Sequence, residues 1–229
     1  MNNNSLNWQL LENAEAVAHE ACQRIVNISE QAIEKKGYFS IVLAGGRTPE
    51  QTYRLLTKAG SNWAHWHIYY GDERCLPANN SGRNSVMAAP AWLNHVAIPA
   101  TQIHPIPAQL GAIAAAYSYT DIIKDALPFD MVLLGLGEDG HTASLFPKHH
   151  HPQNELVHAV FNAPKPPPER VSLSVSALSN THELLFLVTG ASKRKAVAAW
   201  QHGENLPIAQ IPPVAGATVL IDRAADSHR

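Results

Sequence analysis

The run Gly135-Leu-Gly-Glu-Asp-Gly-His141 delivers an imidazole two residues after the carboxylate of Asp139. A carboxylate beside a histidine orients the ring and raises its basicity, which suits general-base work near neutral pH. The other reading of one histidine among thirteen is a hydrogen-bonded or solvated structural role. Its place behind glycines at the end of an apolar run favours chemistry. Three further segments carry groups suited to anions: Ala44-Gly-Gly-Arg-Thr-Pro49, Gly71-Asp-Glu-Arg74 and Thr189-Gly-Ala-Ser-Lys193.

Each segment has its own chemical reading. Gly45 and Gly46 bare backbone amides ahead of a helix start, where partial positive charge favours phosphate or carboxylate. The pair also suits a sharp strand-to-helix turn, and Arg47 tilts the choice toward an anion because guanidinium grips phosphate in a bidentate way. Thr48 is the expected N-cap, with Pro49 at the first helical position and Gln51 completing a capping box. Asp72 and Arg74 belong to a strand-end cluster that is either a surface ion-pair group, worth little, or a place where Arg74 meets substrate charge. Lys193 falls in the first turn of a helix, where its ammonium and the helix dipole share a phosphate, unless it is simply solvated. Arg170 follows a proline run that holds its approach rigid. Cys75 is a conceivable nucleophile without a legible partner. The tract His149-His150-His151 has no carboxylate or cysteine at fixed spacing and reads as solvated loop rather than a metal site.

Gly135-x-Gly-x-x-Gly140 matches the dinucleotide fingerprint in form only. That fingerprint requires an ordinary helix next, and the following His-Thr-Ala-Ser-Leu-Phe-Pro147 is cut short by proline.

The elements that must hold these segments alternate. Apolar residues from Ala14 to Ile33 recur at spacings of three and four and predict an amphipathic helix. Strands are expected at 38–44, 66–70, 130–134, 156–161, 171–175, 184–188 and 218–221. Helices are expected from Thr48 to about Ala59, at 85–93 with an interruption at Pro90, at 110–126 and at 191–201. Strands alternating with helices indicate an α/β fold whose sheet is mainly parallel, with helices on both faces. In such sheets ligands bind beyond the carboxyl ends of the strands. All four segments lie there, so one shared site is expected. No repeat or flexible linker is visible, and residues 1–229 are expected to form a single domain.

The chain has 229 residues, of which 45% are hydrophobic and 16% charged, an ordinary globular balance. Its formal charge of −2 gives no support to a nucleic-acid or membrane-surface role. Two cysteines exclude a disulfide framework. Met1-Asn-Asn-Asn-Ser5 shows no leader pattern and no apolar run spans a bilayer, so a cytoplasmic protein is expected.

Taken in order, Gly45-Gly-Arg-Thr-Pro49, Gly71-Asp-Glu-Arg74, the stretch Phe129 to Pro147, Pro166-Pro-Pro-Glu-Arg170 and Leu187-Val-Thr-Gly-Ala-Ser-Lys193 resemble the 6-phosphogluconolactonases of the glucosamine-6-phosphate isomerase/6-phosphogluconolactonase family. The similarity runs from the first helix to Leu220-Ile-Asp-Arg223, and Asp139-Gly-His-Thr-Ala-Ser-Leu-Phe-Pro147 is its most specific part. The resemblance implies a Rossmann-like α/β domain, acting on a phosphosugar lactone in the oxidative pentose phosphate pathway without metal or nucleotide cofactor. It implies that His141 handles the proton and that Gly45, Gly46, Arg170 and Lys193 hold the phosphate. Arg74 would contact the sugar acid or its phosphate, and a monomer or small homo-oligomer is expected. Three departures stand out: Ala44-Gly-Gly-Arg47 where Ser-Gly-Gly-Ser is usual, Gly82-Arg-Asn84 where Asp-Ser-Asn is common, and Glu138 where proline is common.

The expected reaction is ester hydrolysis, with Asp139 orienting His141 and with Arg74 or backbone amides stabilising the oxyanion. A glucosamine-6-phosphate deaminase would call for an Asp-Glu-Tyr-like segment at 72–74 and an acid soon after the histidine, and positions 142–147 contain none. A sugar-phosphate sensor without turnover is the rival from another class.

Overall fold

The computed structural model describes residues 6–212 and 217–227; Met1–Ser5, read above for a leader, lies outside them. In chain order the strands are β1 (Asn7–Leu11), β2 (Phe39–Leu43), β3 (Trp66–Tyr70), β4 (Asp72–Arg74), β5 (Phe129–Gly135), β6 (Val157–Val160), β7 (Arg170–Leu173), β8 (Thr181–Val188) and β9 (Thr218–Asp222). The α-helices are α1 (Ala14–Lys36), α2 (Arg47–Leu56), α3 (Asn84–Ala91), α4 (Ala112–Ile123), α5 (Val175–Ser179) and α6 (Arg194–Gln201).

Six strands form one parallel sheet in the order β1-β9-β8-β5-β2-β3. Helices flank it. All five residues of β2 are buried, and so are six of the seven in β5, as expected for strands covered on both faces. Full burial of a side chain such as Phe186 or Leu133 contributes about 1.5–3 kcal/mol. Helix α1 buries the stripe Val17, Ala21, Ile25 and Ala32. The Asn13 side chain accepts from the Ala16 amide at 2.9 Å, and the Gly37 amide donates to the Ile33 carbonyl at 2.8 Å; between them they close its two ends.

Strands β2 and β5 are neighbours, yet their chains diverge. From β2 the chain passes through α2 to β3 on one side, while from β5 it eventually reaches β8 on the other. That makes the crevice at their carboxyl ends the switch point of the sheet. Their direct ladder is short, Ile41 opposite Met131 and Val42 opposite Val132. One position below it, Asp130 Oδ2 accepts from the Ser40 amide at 2.7 Å and from Ser40 Oγ at 3.0 Å, while Lys36 Nζ sits 2.9 Å from Oδ1.

Several local expectations are corrected. The N-cap of α2 is Gly46, not Thr48; Thr48 lies inside the helix, and its hydroxyl meets that of Thr189 at 2.6 Å. The glycine provides the non-helical backbone that a cap needs, at φ +111°, so the helix starts two residues before the capping-box pattern placed it. The same helix ends at Leu56 rather than near Ala59. Pro90 does not interrupt α3, because it is the second-to-last residue. The helix expected from Ala191 begins with one 3-10 turn, and Lys193 becomes the N-cap of α6. The strand expected through Val175 stops at Leu173, because the Ser174 hydroxyl accepts from the Ala177 amide and opens α5.

Two features had no sequence expectation. Strand β1 lies at the sheet edge and alternates polar with apolar residues over only its first four positions. After Gly71, whose amide returns to the Leu43 carbonyl at 3.0 Å, the chain leaves the main sheet, and β4 joins an antiparallel sheet of order β4-β7-β6. Asp-Glu-Arg has no strand propensity, so pairing with β7 alone determines it.

Candidate active site

A cleft of about 330 Å³ opens at the switch point between the main sheet and the small one. The Gly45-Gly46 turn, the β5 loop with His141, and residues from β4, β7 and the Lys165-Pro166 loop line it.

His141 ends a tight loop in which the Gly137 amide donates to the His141 carbonyl at 2.7 Å. Its ring Nδ1 makes a short hydrogen bond to Asp139 Oδ1, which also accepts the His141 amide at 3.3 Å. A carboxylate acceptor places the proton on Nδ1 and leaves the lone pair on Nε2. Burial lowers the imidazole pKa, and Asp139 offsets that only in part, so the neutral base dominates at neutral pH. Burial acts to raise Asp139, but its hydrogen bonds to His141 outweigh this and hold it below its ordinary value. The ring also packs on Phe146, with centroids 4.7 Å apart. Gly137 is required by this arrangement, because any Cβ there would collide with the imidazole.

The segment Gly71-Asp-Glu-Arg74 divides its labour. Glu73 is fully buried and accepts from the Asn84 and Ser85 amides at 2.7 and 2.9 Å, which fastens the start of α3. Asp72 faces the cleft and accepts from Ser144 Oγ at 2.5 Å and Asn84 Nδ2 at 3.0 Å. Asn84 in turn occupies the space that a Cβ on Gly45 would need, so the Gly-Gly turn and β4 are packed onto one amide. Arg74 lines the cleft with one guanidinium nitrogen committed to the Gly82 carbonyl.

Arg170 stands opposite Arg74 across the β4–β7 ladder. Its guanidinium donates to the carbonyls of Lys165 at 3.0 Å and of Pro166 and Pro167 at 3.3 Å. It also lies over the Phe146 ring at 5.5 Å. Lys193 reaches the cleft from the α6 N-terminus, its pKa lowered by burial and by Lys165 against the pull of Glu138 and Asp139.

Of the residues singled out from sequence, His141, Arg74, Asp72, Gly45, Gly46, Arg170 and Lys193 line this one cleft. Asp139 supports it from behind His141. Arg47 and Thr48 instead line an adjoining cavity of about 540 Å³ with Glu138, Ser192 and Asp222, which shares the Gly45-Gly46 and Lys193 walls. Burial and the Glu169 carboxylate push the Cys75 thiol up to about 11, so it holds no thiolate near neutral pH. The histidine tract is less solvated than expected. His151 is half-buried, with Nε2 on the Phe146 carbonyl at 3.0 Å and Nδ1 3.3 Å from His158. Phe146, Ser144 and Lys165 received no role from sequence; the proline run that drew attention to Arg170 marks Lys165 equally.

The model of the family described as glucosamine-6-phosphate isomerases/6-phosphogluconolactonase matches residues 12–220. The chain belongs to this family. A 6-phosphogluconolactonase of Mycobacterium leprae is 34% identical over 232 residues, covering 94% of this chain and 93% of the relative. One from Synechocystis is 32% identical, with 96% of each covered. The crystal structure of a 6-phosphogluconolactonase from Thermotoga maritima superposes with a TM-score of 0.89 at 26% identity, covering 96% of this chain and all of that one (100%). The family fold is thus the Rossmann-like one.

Proposed function

We propose that the chain is a carboxylic ester hydrolase that opens 6-phospho-D-glucono-1,5-lactone to 6-phosphogluconate. The observation that carries this reading is a neutral imidazole, oriented by Asp139, in a cleft lined by cations and facing a Gly-Gly helix start. Similarity across almost the whole chain to proteins named 6-phosphogluconolactonase supports it.

The phosphate is held by Lys193, Arg170 and the amides after Gly45-Gly46, and that grip fixes the ring carbonyl near His141. His141 Nε2 takes a proton from water as the water oxygen bonds to the carbonyl carbon, and the π electrons move to the carbonyl oxygen. When the tetrahedral intermediate collapses, the bond from carbon to the ring oxygen breaks. His141 then returns the proton to that oxygen, leaving a carboxylic acid that ionises. Asp139 keeps the ring in the required tautomer throughout.

The test is a lactonase assay on freshly generated 6-phosphogluconolactone, corrected for spontaneous hydrolysis, beside the unphosphorylated lactone and an ammonia-release assay on glucosamine 6-phosphate. Strong preference for the phosphorylated lactone with no ammonia release is expected. Equal rates on both lactones would remove the phosphate grip, and ammonia release would replace the reaction.

A further inference from the structure

Among the described residues, four cationic side chains line the cleft: Arg74, Lys165, Arg170 and Lys193. They are not equivalent. Arg74 spends one nitrogen on the Gly82 carbonyl, and Arg170 spends Nε and Nη2 on the carbonyls of Lys165, Pro166 and Pro167, which leaves Nη1 to face a phosphate. Lys193 sits at the N-terminus of α6, beside the Gly-Gly turn. Among the described residues Lys165 has no side-chain hydrogen bond or ion pair, and it is exposed at the tip of the Ala163–Pro168 loop. That loop is stiff. Its ends are joined by the Ala163 amide to the Pro168 carbonyl at 2.9 Å, four of its six residues are proline, and Arg170 holds it from inside. Phe146 clusters with Val160 and Ala163, and its ring also meets the His141 ring.

We infer that Lys165 is a catalytic residue whose ammonium hydrogen-bonds the lactone carbonyl oxygen as it becomes the oxyanion, with Arg170 its positioning residue through the loop carbonyls. The inference rests on the lactonase reading. Water activated by His141 attacks within about 3 Å of the ring, so charge develops beside the imidazole. Lys165 is the cation whose field reaches that ring: among the charges acting on His141, Asp139 and Asp72 raise its pKa while Lys165 lowers it. Arg74 acts instead on Arg170, in a group with Asp72 and Glu73. A loop fixed by prolines and by Arg170 presents the flexible lysine from a rigid base, which limits the ordering entropy lost on contact.

The experiment compares Lys165→Met and Lys165→Arg with the wild-type enzyme in kcat, KM and an NMR titration of the His141 ring without substrate. For Lys165→Met, kcat is expected to fall about 100-fold, the typical effect of losing one oxyanion donor, with KM little changed. Lys165→Arg should recover much of that loss. His141 should titrate at higher pH in Lys165→Met, because a positive neighbour is gone. Retained kcat, a change confined to KM, or a lowered kcat with unmoved His141 titration would each overturn the role. A wild-type protein inactive on the lactone overturns the lactonase reading and this role together; an active one indifferent to Lys165→Met overturns this role alone.

Discussion

Arg74 and Arg170 stand directly opposite each other on antiparallel strands, which places two like charges side by side on one face of a three-stranded sheet. Opposed like charges destabilise a strand pair. The neighbouring carboxylates of Asp72 and Glu73 offset part of this, since both raise the pKa of Arg170 against burial and Arg74. An anion is therefore expected to stabilise this face. Thermal unfolding with 6-phosphogluconate should show a raised Tm, equivalent to about 2.7 kcal/mol at one hundred times Kd. Arg74→Gln should weaken that rise without lowering the unliganded Tm. An equal rise in wild type and variant would count against the pairing as an anion site.

Replacing His141, the proposed proton carrier, should be severe and local. His141→Gln is expected to lower kcat by about 10²- to 10⁴-fold, with the far-ultraviolet circular dichroism spectrum unchanged. Near-normal turnover in the folded variant would exclude His141 as the base.

Asp139→Asn tests orientation through pH. The active form of His141 is neutral, so the rate falls as pH drops through its pKa. Removing the carboxylate deletes the largest influence raising that pKa, while burial continues to lower it. The acid limb of the kcat/KM profile should move to lower pH, and the plateau should fall because the ring tautomer is no longer held. An acid limb that moves upward would contradict the geometry.

Gly137→Ala tests the close approach behind the ring. The added methyl collides with the imidazole, which must swing away from Asp139. A displacement near 1 Å is enough for about a 100-fold loss in rate. Steady-state kinetics beside the melting temperature should show a large kinetic effect and a smaller thermal one.

The contact between His141 and Asp139 was legible because both lie within one short loop, where local spacing determines contact. The parallel sheet was legible from the apolar runs of β2, β5 and β8, which have no polar side to hide. Other parts were not. Asp72, Asn84, Ser144 and the Gly45-Gly46 turn are far apart in sequence and meet only because β4 leaves the main sheet at Gly71. Nothing in Asp-Glu-Arg marks a strand, and no local pattern tells that Arg170 turns toward its own loop. Arg47 stands beside the glycine turn in sequence, but helix α2 carries its side chain to the adjoining cavity.

The Asp130 carboxylate lies at the far end of the strands from the cleft. There it stitches β5 to β2 where their direct ladder is only two pairs long. A slip of one residue between these strands would turn every side chain of one of them to the wrong face. It would also carry the glycine turn and the histidine loop out of step. Asp130 thus works as a ruler for the cleft, setting from a distance the register of the strands that carry its two loops.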